Sequence, residues 1–521
     1  MKEKISELLK KTINVLQKET KLPSFEIPSV LVNYPENEDY GDFSTNLAMK
    51  IGKIIKKSPL EIAEMIKKHF KDDQSFFAKI EVVKPGFINF FLSKDIIQKQ
   101  VKEILKQDKN FGNTNIGGGK KIQVEFISAN PTGPLTVANA RGGPMGDVIG
   151  SILDKVGFKV EKAYYINNYG NQVMALGHSV LQDDKAEYKG EYIKDLARKI
   201  KEKDPYKAGQ KAVEIIVDMI KKTTDNMGIQ YNEWISESDF HEKGKVDELI
   251  NSLGKLVYEK EGAVWFKSTK FGDKRDRVLI KSDKWKTYLA GDLALHDYKL
   301  KRFDRLINIW GADHHGDVPG LMAIVEALGH KGKLEIILYQ FVTVLEAGEK
   351  KRMSKRQGIF VTMDELLEQV GKDVVRFFFL QKSANTHLNF DLSLAKEQSD
   401  KNPVYYVQYA YARICSILKK SEIKHIKKDF QLLNDPSELK LIKQLIKLPV
   451  IIKETAKDYQ VQRLPKYVFE TAACFHQFYK NCRVLTENKE LSNARLGLVL
   501  ATKIVLKNTL DIMGISAPEK M

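Results

Sequence analysis

The chain has 521 residues, 43% of them apolar, so it can bury real cores, and at roughly 100–200 residues per domain it implies about three domains. A peptide hormone, a disulfide mini-protein, a single small module and a disordered chain are excluded. Lys and Arg number 85 against 68 Asp and Glu, a net charge of +17, which points either to a polyanionic partner such as nucleic acid or to a Lys-rich proteome.

The opening MKEKISELLKKTINVLQK has no apolar centre of the kind a secretory signal needs. Its Ile5, Leu8, Leu9, Ile13 and Leu16 recur at helical spacing and predict a packed helix. The rest of residues 1–111 mixes a polar loop, NYPENEDYGDFSTN, with further helix and the strand-like KIEVVKPGFINFFLS, an α+β pattern. Gly112 to Gly119 reads as a linker. Thr114 stands where the first Gly of a GxxxxGK phosphate loop belongs, and Lys121 stands where its Ser or Thr belongs. From 112 to 395, strands alternate with helices: IQVEFIS at 122–128, helical GDVIGSILDKVG, then VEKAYYIN, then DRLINIWG before a helix with Val318, Leu321, Val325 and Leu328 on one face. This rhythm predicts a doubly wound parallel sheet, interrupted by a Lys-rich helical insertion at about 180–255. Residues 396–521 carry helical patterns only and predict a bundle. No run of 18 apolar residues occurs, so no membrane span is predicted. Cys415, Cys474 and Cys482, without a CxxC pair, suggest neither disulfides nor a zinc knuckle and fit a reducing cytoplasm.

Four segments carry candidate chemistry. Strand 122–128 runs through SANPTGPLTVANARGG into a helix whose N-terminal N–H groups suit phosphate, unless this is an ordinary strand-to-helix turn. EKKRMSKRQGIFVT at 349–362 gathers Lys350, Lys351, Arg352, Lys355 and Arg356, with Thr362 and Glu365 in a capping-box pattern. It reads as a cationic clamp for a triphosphate or as a solvated basic loop. TYLAGD at 287–292 and WGADHHGD at 310–317 invite a metal reading through Asp313, His314 and His315. Adjacent histidines on a strand face opposite ways, so a small-molecule pocket at the carboxyl end of the strand is the better reading. In NPVYYVQYAYARICSIL at 402–418, Val404, Val407, Tyr411, Ile414 and Leu418 form a core stripe. Tyr405, Tyr406 and Tyr409 fall off it, to stack on bases or to pack on a neighbouring helix.

Taken together, SANPTGPL…ARGG…GD, RMSKR with its following VT-D-LL, WGADHHG, HLNFDLSLAKEQSDKNPVYYVQYA, YGDFSTNLA, PGFINFFLS and MGISAPEKM resemble the arginyl-tRNA synthetases of bacterial type, which are class I aminoacyl-tRNA synthetases. The resemblance covers nearly the whole chain. It implies an α/β, Rossmann-type parallel-sheet catalytic domain at 112–395, an N-terminal α+β domain at 1–111 that binds the tRNA elbow, and a C-terminal α-helical anticodon-binding bundle at 396–521. It implies activation of L-arginine by ATP, with Mg²⁺ accompanying ATP and no tightly held protein metal, then esterification of the terminal adenosine of tRNA(Arg). A cytoplasmic monomer is expected.

Residue roles follow from the same resemblance. Glu125, Ser128, Asn130, Tyr288, Asp292 and His314 are expected around arginine; Pro131, Gly133, Pro134, Ala138, Gly311 and Met353 around ATP. Thr136, Asn139, Arg352, Ser354 and Lys355 are expected to act on the phosphates, and Asn46, Tyr406 and Tyr409 to meet tRNA. The first signature, normally His-x-Gly-His or His-x-Gly-Asn, here reads Thr136-Val137-Ala138-Asn139, and a hydroxyl can donate a hydrogen bond without carrying charge. Ala138 replaces a Gly beneath the adenine, Asn168 replaces a usual Asp, and Pro144 is placed to bend the second turn of a helix. Two readings follow: an active ligase in which Thr136 contacts phosphate weakly and Lys355 carries more charge, or a weakened or inactive tRNA-binding relative.

Overall fold

Five parallel strands form the sheet that the strand–helix rhythm predicts. In the computed structural model, which describes residues 1–71, 75–346, 348–350, 361–421 and 429–521, they are β1 (Lys121–Phe126), β2 (Lys159–Ile166), β3 (Glu233–Ser236), β4 (Arg305–Gly311) and β5 (Leu334–Tyr339). Their order is β5-β4-β1-β2-β3, with every neighbouring pair parallel. The winding reverses between β1 and β4, which opens a crevice at their carboxyl ends. Ile122, Val124 and Phe126 of β1 and Leu306, Ile307 and Ile309 of β4 are buried, as expected for central strands covered on both faces. Gln123, Glu125 and Asn308 are buried beside them, and polar groups there need partners.

The helices that frame the crevice are α1 (Val137–Ala140), α2 (Gly142–Lys155), α3 (Pro205–Asn226), α4 (Glu237–Glu242), α5 (Tyr288–Leu300) and α6 (Val318–Ala327). Three local expectations are corrected. β1 ends at Phe126, because Ile127 and Ser128 take φ values of +66° and +38°, turning the chain out of the sheet two residues early. Pro144 interrupts the helix and does not merely bend it, because the N–H it lacks is the one that would bond the Ala140 carbonyl. The break falls at Arg141, so Pro144 lies in the first turn of α2. The Lys-rich stretch at 180–255 is not merely a helical insertion. It supplies α3 and then β3, the edge strand of the sheet, whose four residues are too few to announce themselves among the lysines. A separate antiparallel sheet of Val257–Lys260, Ala263–Phe266 and Arg277–Ile280 follows it.

The Gly-rich stretch is hydrogen-bonded to the end of α2, with Gly117 N–H donating to Val156 and Gly119 N–H to Gly157. It leads into a strand and not into a helix, unlike a phosphate loop. After β5, β6 (Val342–Glu346) and β7 (Glu349–Lys350) form a hairpin. The chain re-enters the described residues at Val361, where it pairs with the first signature: Val137 N–H donates to Val361 (3.2 Å) and Met363 N–H to Leu135 (2.8 Å). The predicted capping box of Thr362 and Glu365 then starts α7 (Met363–Val370).

One compact unit comprises residues 110–413, 448–472 and 506–521; the other comprises 1–109, 414–447 and 473–505. The second holds an antiparallel sheet of Phe43–Thr45, Phe87–Leu92 and Phe77–Val83 with helices Lys2–Lys18, Leu47–Ile55, Pro59–His69 and Lys94–Gln107. Ile5, Leu9, Ile13 and Leu16 are buried as the periodicity requires, with Leu8 half-buried. The C-terminal segment is helical as expected, in Pro403–Lys420, Pro436–Leu445, Leu448–Asp458, Arg463–Asn481 and Lys489–Met513, and it contributes to both units.

Candidate active site

Glu125 on β1 faces its register partner Asn308 on β4, and Lys299 from α5 reaches between them. The fully buried Lys299 ammonium donates to Glu125 Oε2 at 2.7 Å and to Asn308 Oδ1 at 3.1 Å. His296 completes the network. Its Nδ1 lies 2.8 Å from the Asp292 carbonyl and its Nε2 lies 3.1 Å from the Asn308 amide. Burial, with the Lys299 charge beside it, holds His296 down to about 3, so the ring is neutral, donates from Nδ1 and accepts at Nε2. Glu125 therefore already has a cationic partner within the fold.

Two further carboxylates converge on this point. Asp292 precedes His296 by one turn of α5. Its carboxyl is removed from water and faces Glu125, Glu237 and Asp317, which together push it up to about 8 against the opposing pull of Lys299. Glu237 opens α4. Its Oε1 accepts from His241 Nε2 at 3.4 Å, while its Oε2 is buried without a partner, as is the Tyr165 hydroxyl of β2. Burial first, then Glu237, Asp292 and Glu125, drive the Tyr165 hydroxyl far above its usual range. Gly291 makes this convergence possible, because a Cβ there would lie 2.4 Å from Glu237 Oε1 and 3.3 Å from the Tyr165 hydroxyl. Asn168 fixes α4 in place: its Oδ1 accepts from Ser238 N–H and its Nδ2 donates to Ser238 Oγ, both at 2.9 Å. An amide serves both bonds, where the usual aspartate could only accept. Three acids thus converge while the Lys299 ammonium pairs with Glu125 and bears on Asp292, and a buried Glu237 carboxylate oxygen and the Tyr165 hydroxyl are left over. That set matches the fixed charge and forked donors of a guanidinium.

The other residues expected around arginine are more peripheral. Tyr288 is 60% exposed, although desolvation of its hydroxyl end and the nearby Glu237 raise its pKa. Ser128 Oγ accepts from Tyr165 N–H at 3.1 Å, and Asn130 is exposed in the following turn. His314 lies on an exposed rim, 3.3 Å from Asp317, which raises its pKa. Asp313, Asp317 and Asp292 all bear on it, and the Asp317 charge also bears on Asp292.

At the opposite end, Thr136 is the N-cap of α1. Its hydroxyl accepts from Asn139 N–H (3.3 Å) and gives its own proton to Asn139 Oδ1 (2.7 Å). In this arrangement it serves as a cap, with its one proton given to Asn139. Asn139 Oδ1 is occupied, so the Asn139 NH₂ is the donor this turn has to offer. Because α1 is a single turn, its dipole is short. Pro131, Gly133 and Pro134 are buried. The Tyr192 hydroxyl donates to the Thr132 carbonyl at 2.9 Å, and its ring would lie 3.0 Å from a Cβ at Gly133, so the ring covers this loop. Ala138 is half-buried. Gly311 ends β4 at the crevice, where any Cβ would strike Asp313 Oδ1 at 2.3 Å. Arg352, Met353, Ser354 and Lys355 lie outside the described residues; the flanks of their segment are β7 and the Val361–Met363 pairing.

The residues expected to meet tRNA divide. Tyr406 packs on Phe469 with ring centroids 4.9 Å apart, as a helix-packing tyrosine does. Tyr409 is 38% exposed, stacked parallel to Tyr405, and its hydroxyl accepts from Arg413. Asn46 stands at the N-cap of Leu47–Ile55 without capping it, and its Oδ1 is buried with no partner. Among the described residues, no three His, Cys, Asp or Glu side chains converge to hold a metal, and no helix is long and apolar enough to cross a membrane.

Glu237, Tyr165, Lys299 and His241 were not singled out from the sequence. Glu237 sits in ESDFH amid charged residues, and only the fold turns it inward; Lys299 is one lysine among many. The buried Glu125 within an apolar strand was the one available signal.

Three family profiles match the chain: "Arginyl tRNA synthetase N terminal domain" over residues 1–92, "tRNA synthetases class I (R), catalytic domain" over 180–378, and "DALR anticodon binding domain" over 407–521. The arginine–tRNA ligase of Bacillus velezensis is 42% identical, with 95% of each chain aligned. That of Caldanaerobacter subterraneus subsp. tengcongensis is 41% identical over 100% of this chain and 99% of its own. The solved structure of the Thermus thermophilus arginyl-tRNA synthetase superposes with a TM-score of 0.77 at 22% identity, covering 100% of both chains.

Proposed function

The chain belongs to the arginyl-tRNA synthetase family, and from that premise we propose how its own residues divide the work of an arginine–tRNA ligase. The reaction joins the carboxylate of L-arginine to the α-phosphate of ATP, releasing pyrophosphate. The 3′ terminal adenosine of tRNA(Arg) then takes the arginyl group and releases AMP. The inactive tRNA-binding reading has no support: the similarity to arginine–tRNA ligases runs through the full length.

In the proposed division, Asp292 and Glu237 bind the guanidinium, with Tyr165 beside them. Glu125 holds the local field through Lys299. Ser128 and Asn130 meet the α-amino and carboxylate end, and Tyr288 and His314 line the mouth. Pro131, Gly133, Pro134, Ala138, Gly311 and Met353 border the nucleotide. Asn139, oriented by Thr136, and the Arg352, Ser354 and Lys355 segment bind phosphate, with Lys355 neutralising pyrophosphate as it leaves. Mg²⁺ would enter with ATP, held by phosphates and water. Residues 1–111 and 396–521 serve the elbow and the anticodon, with Asn46 and Tyr409 at those surfaces and Tyr406 packed behind on Phe469; the protein works in the cytoplasm as a monomer.

The single observation that supports this reading most is the partnerless Glu237 Oε2 buried beside Asp292. The test is ATP–pyrophosphate exchange with each of the twenty amino acids, with and without tRNA. Arginine alone is expected to drive exchange. Exchange driven by another amino acid would overturn the pocket assignment, and Lys355→Ala with unchanged activity would remove the charge-compensation role.

A further inference from the structure

His241 has no place in the division of roles above, yet its position is unusually constrained. It lies one turn after Glu237 on α4, and the two side chains are 4% and 5% exposed. The Tyr169 ring stacks on the imidazole at 3.6 Å between centroids and 9° between planes, and Trp285 meets Tyr169 edge-on at 5.9 Å. A ring clamped in that way cannot swing freely about its Cβ–Cγ bond. Its Nε2 lies 3.4 Å from Glu237 Oε1, and because a carboxylate only accepts, the imidazole is the donor. Its Nδ1 is buried with no partner. Leaving a buried nitrogen unpaired is unfavourable, so this orientation is not explained by satisfying the ring itself.

We propose that His241 is a positioning residue for arginine recognition: it holds one oxygen of Glu237 so that the other, Oε2, faces the substrate guanidinium. This rests on the arginine pocket argued above. Glu237 hangs on two rotatable bonds beyond its Cβ, and a forked donor is sensitive to the plane of the carboxylate it meets. With Oε1 tethered, that plane is fixed before arginine arrives. Asn168 holds the backbone of the same helix through Ser238, so helix and carboxylate are set by separate contacts. A residue acting this way changes how well arginine is captured, not the step at phosphorus.

The experiment uses the full chain with tRNA and ATP, and measures aminoacylation while arginine is varied. His241→Phe keeps a ring for Tyr169 and loses the donor; the arginine KM is expected to rise about tenfold, with kcat and the ATP and tRNA KM values within twofold. His241→Gln, whose amide can reach Glu237, is expected to return the arginine KM to within threefold of the parent. His241→Asn, too short to reach, is expected to resemble His241→Phe and stands in for it should that variant not fold. An arginine KM within twofold for both His241→Phe and His241→Asn overturns the proposal. Equal losses for Gln, Asn and Phe overturn it too, because they would mark simple packing. Glu237→Gln separates this from failure of the pocket itself. A rise of a hundredfold or more in arginine KM upholds the pocket whatever His241 does, and no rise removes the pocket reading and this proposal with it.

Discussion

At the α4–α5 end of the crevice, charge is buried and its partners are largely assembled; at the α1 end, the described residues offer caps, backbone and one amide. Glu125, Asp292 and Glu237 converge there, with the Lys299 ammonium on Glu125 and a neutral His296 beside it. By contrast, Thr136 spends its hydroxyl on Asn139, and the cations expected to meet phosphate lie on a segment between β7 and Val361. The contrast follows from the ligands. A guanidinium has one shape and one charge throughout, so a rigid pocket suits it. The polyphosphate changes charge and leaves during the reaction, so it needs donors that meet charge as it develops. Changes at the first end should therefore fall on arginine binding, and changes at the second on ATP.

The hardest test of that separation is Asp292→Asn. Replacing a buried acceptor by an amide leaves guanidinium donors facing donors, so kcat/KM for arginine is expected to fall by about 10³–10⁴, with the ATP KM within twofold. Steady-state aminoacylation with each substrate varied in turn checks it, and an equal loss for both substrates would erase the distinction between the ends.

Next in size is Lys299→Met. Removing the ammonium strands Glu125 in a dry site, at a cost of about 3–5 kcal/mol of stability. Thermal or urea unfolding should show the loss, and the double variant with Glu125→Gln should recover much of it. An unchanged melt would mean that the Glu125 charge is compensated elsewhere and that the arginine end is not pre-assembled around Lys299.

How far the site could be read from the sequence depends on which end is considered. The α/β order, the capping box at Thr362 and the helical C-terminal segment follow from periodicity and turn chemistry, which are local. Glu125 and Asp292 were legible only through the resemblance, which matches them to acidic arginine contacts. Glu237 was not legible, since a charged residue in a charged stretch gains meaning only when β3 joins the sheet edge. For the same reason β3 itself was hidden in a Lys-rich segment. Tyr406 and Tyr409 share a helix and a residue type, and only the neighbouring Phe469 separates the packed one from the exposed one. Nor can the sequence show that Asn139, three residues on, takes the Thr136 proton.

The pH dependence of arginine capture sharpens the comparison further. With Asp292 pushed up to about 8 in the empty pocket, most molecules at pH 7 hold a proton there. The guanidinium needs the carboxylate, so binding expels that proton. The sign follows: apparent arginine affinity rises with pH below about 8, by at most tenfold per unit, and levels off above it. The ATP KM should not follow the same curve. Calorimetry at pH 7 in buffers of different ionisation enthalpy should register proton release on arginine binding, and its absence would remove Asp292 as the titrating group.

The smallest expected effect lies at the other end, in Thr136→Ala. If Thr136 were a direct phosphate ligand in place of a charged donor, its loss would be felt in the chemical step. As an N-cap that holds Asn139, it should cost about 1 kcal/mol, the usual worth of a capping hydroxyl. That corresponds to a rise of about fivefold in the ATP KM, with the arginine KM unchanged. Thr136→Ser keeps the hydroxyl and should be nearly silent, while Asn139→Ala should exceed Thr136→Ala, because it removes the group that the cap exists to orient. The order Asn139→Ala, then Thr136→Ala, then Thr136→Ser distinguishes cap from ligand. If Thr136→Ala proves the more severe of the two alanine variants in single-turnover adenylate formation, the hydroxyl itself touches phosphate and the assignment of the two residues reverses.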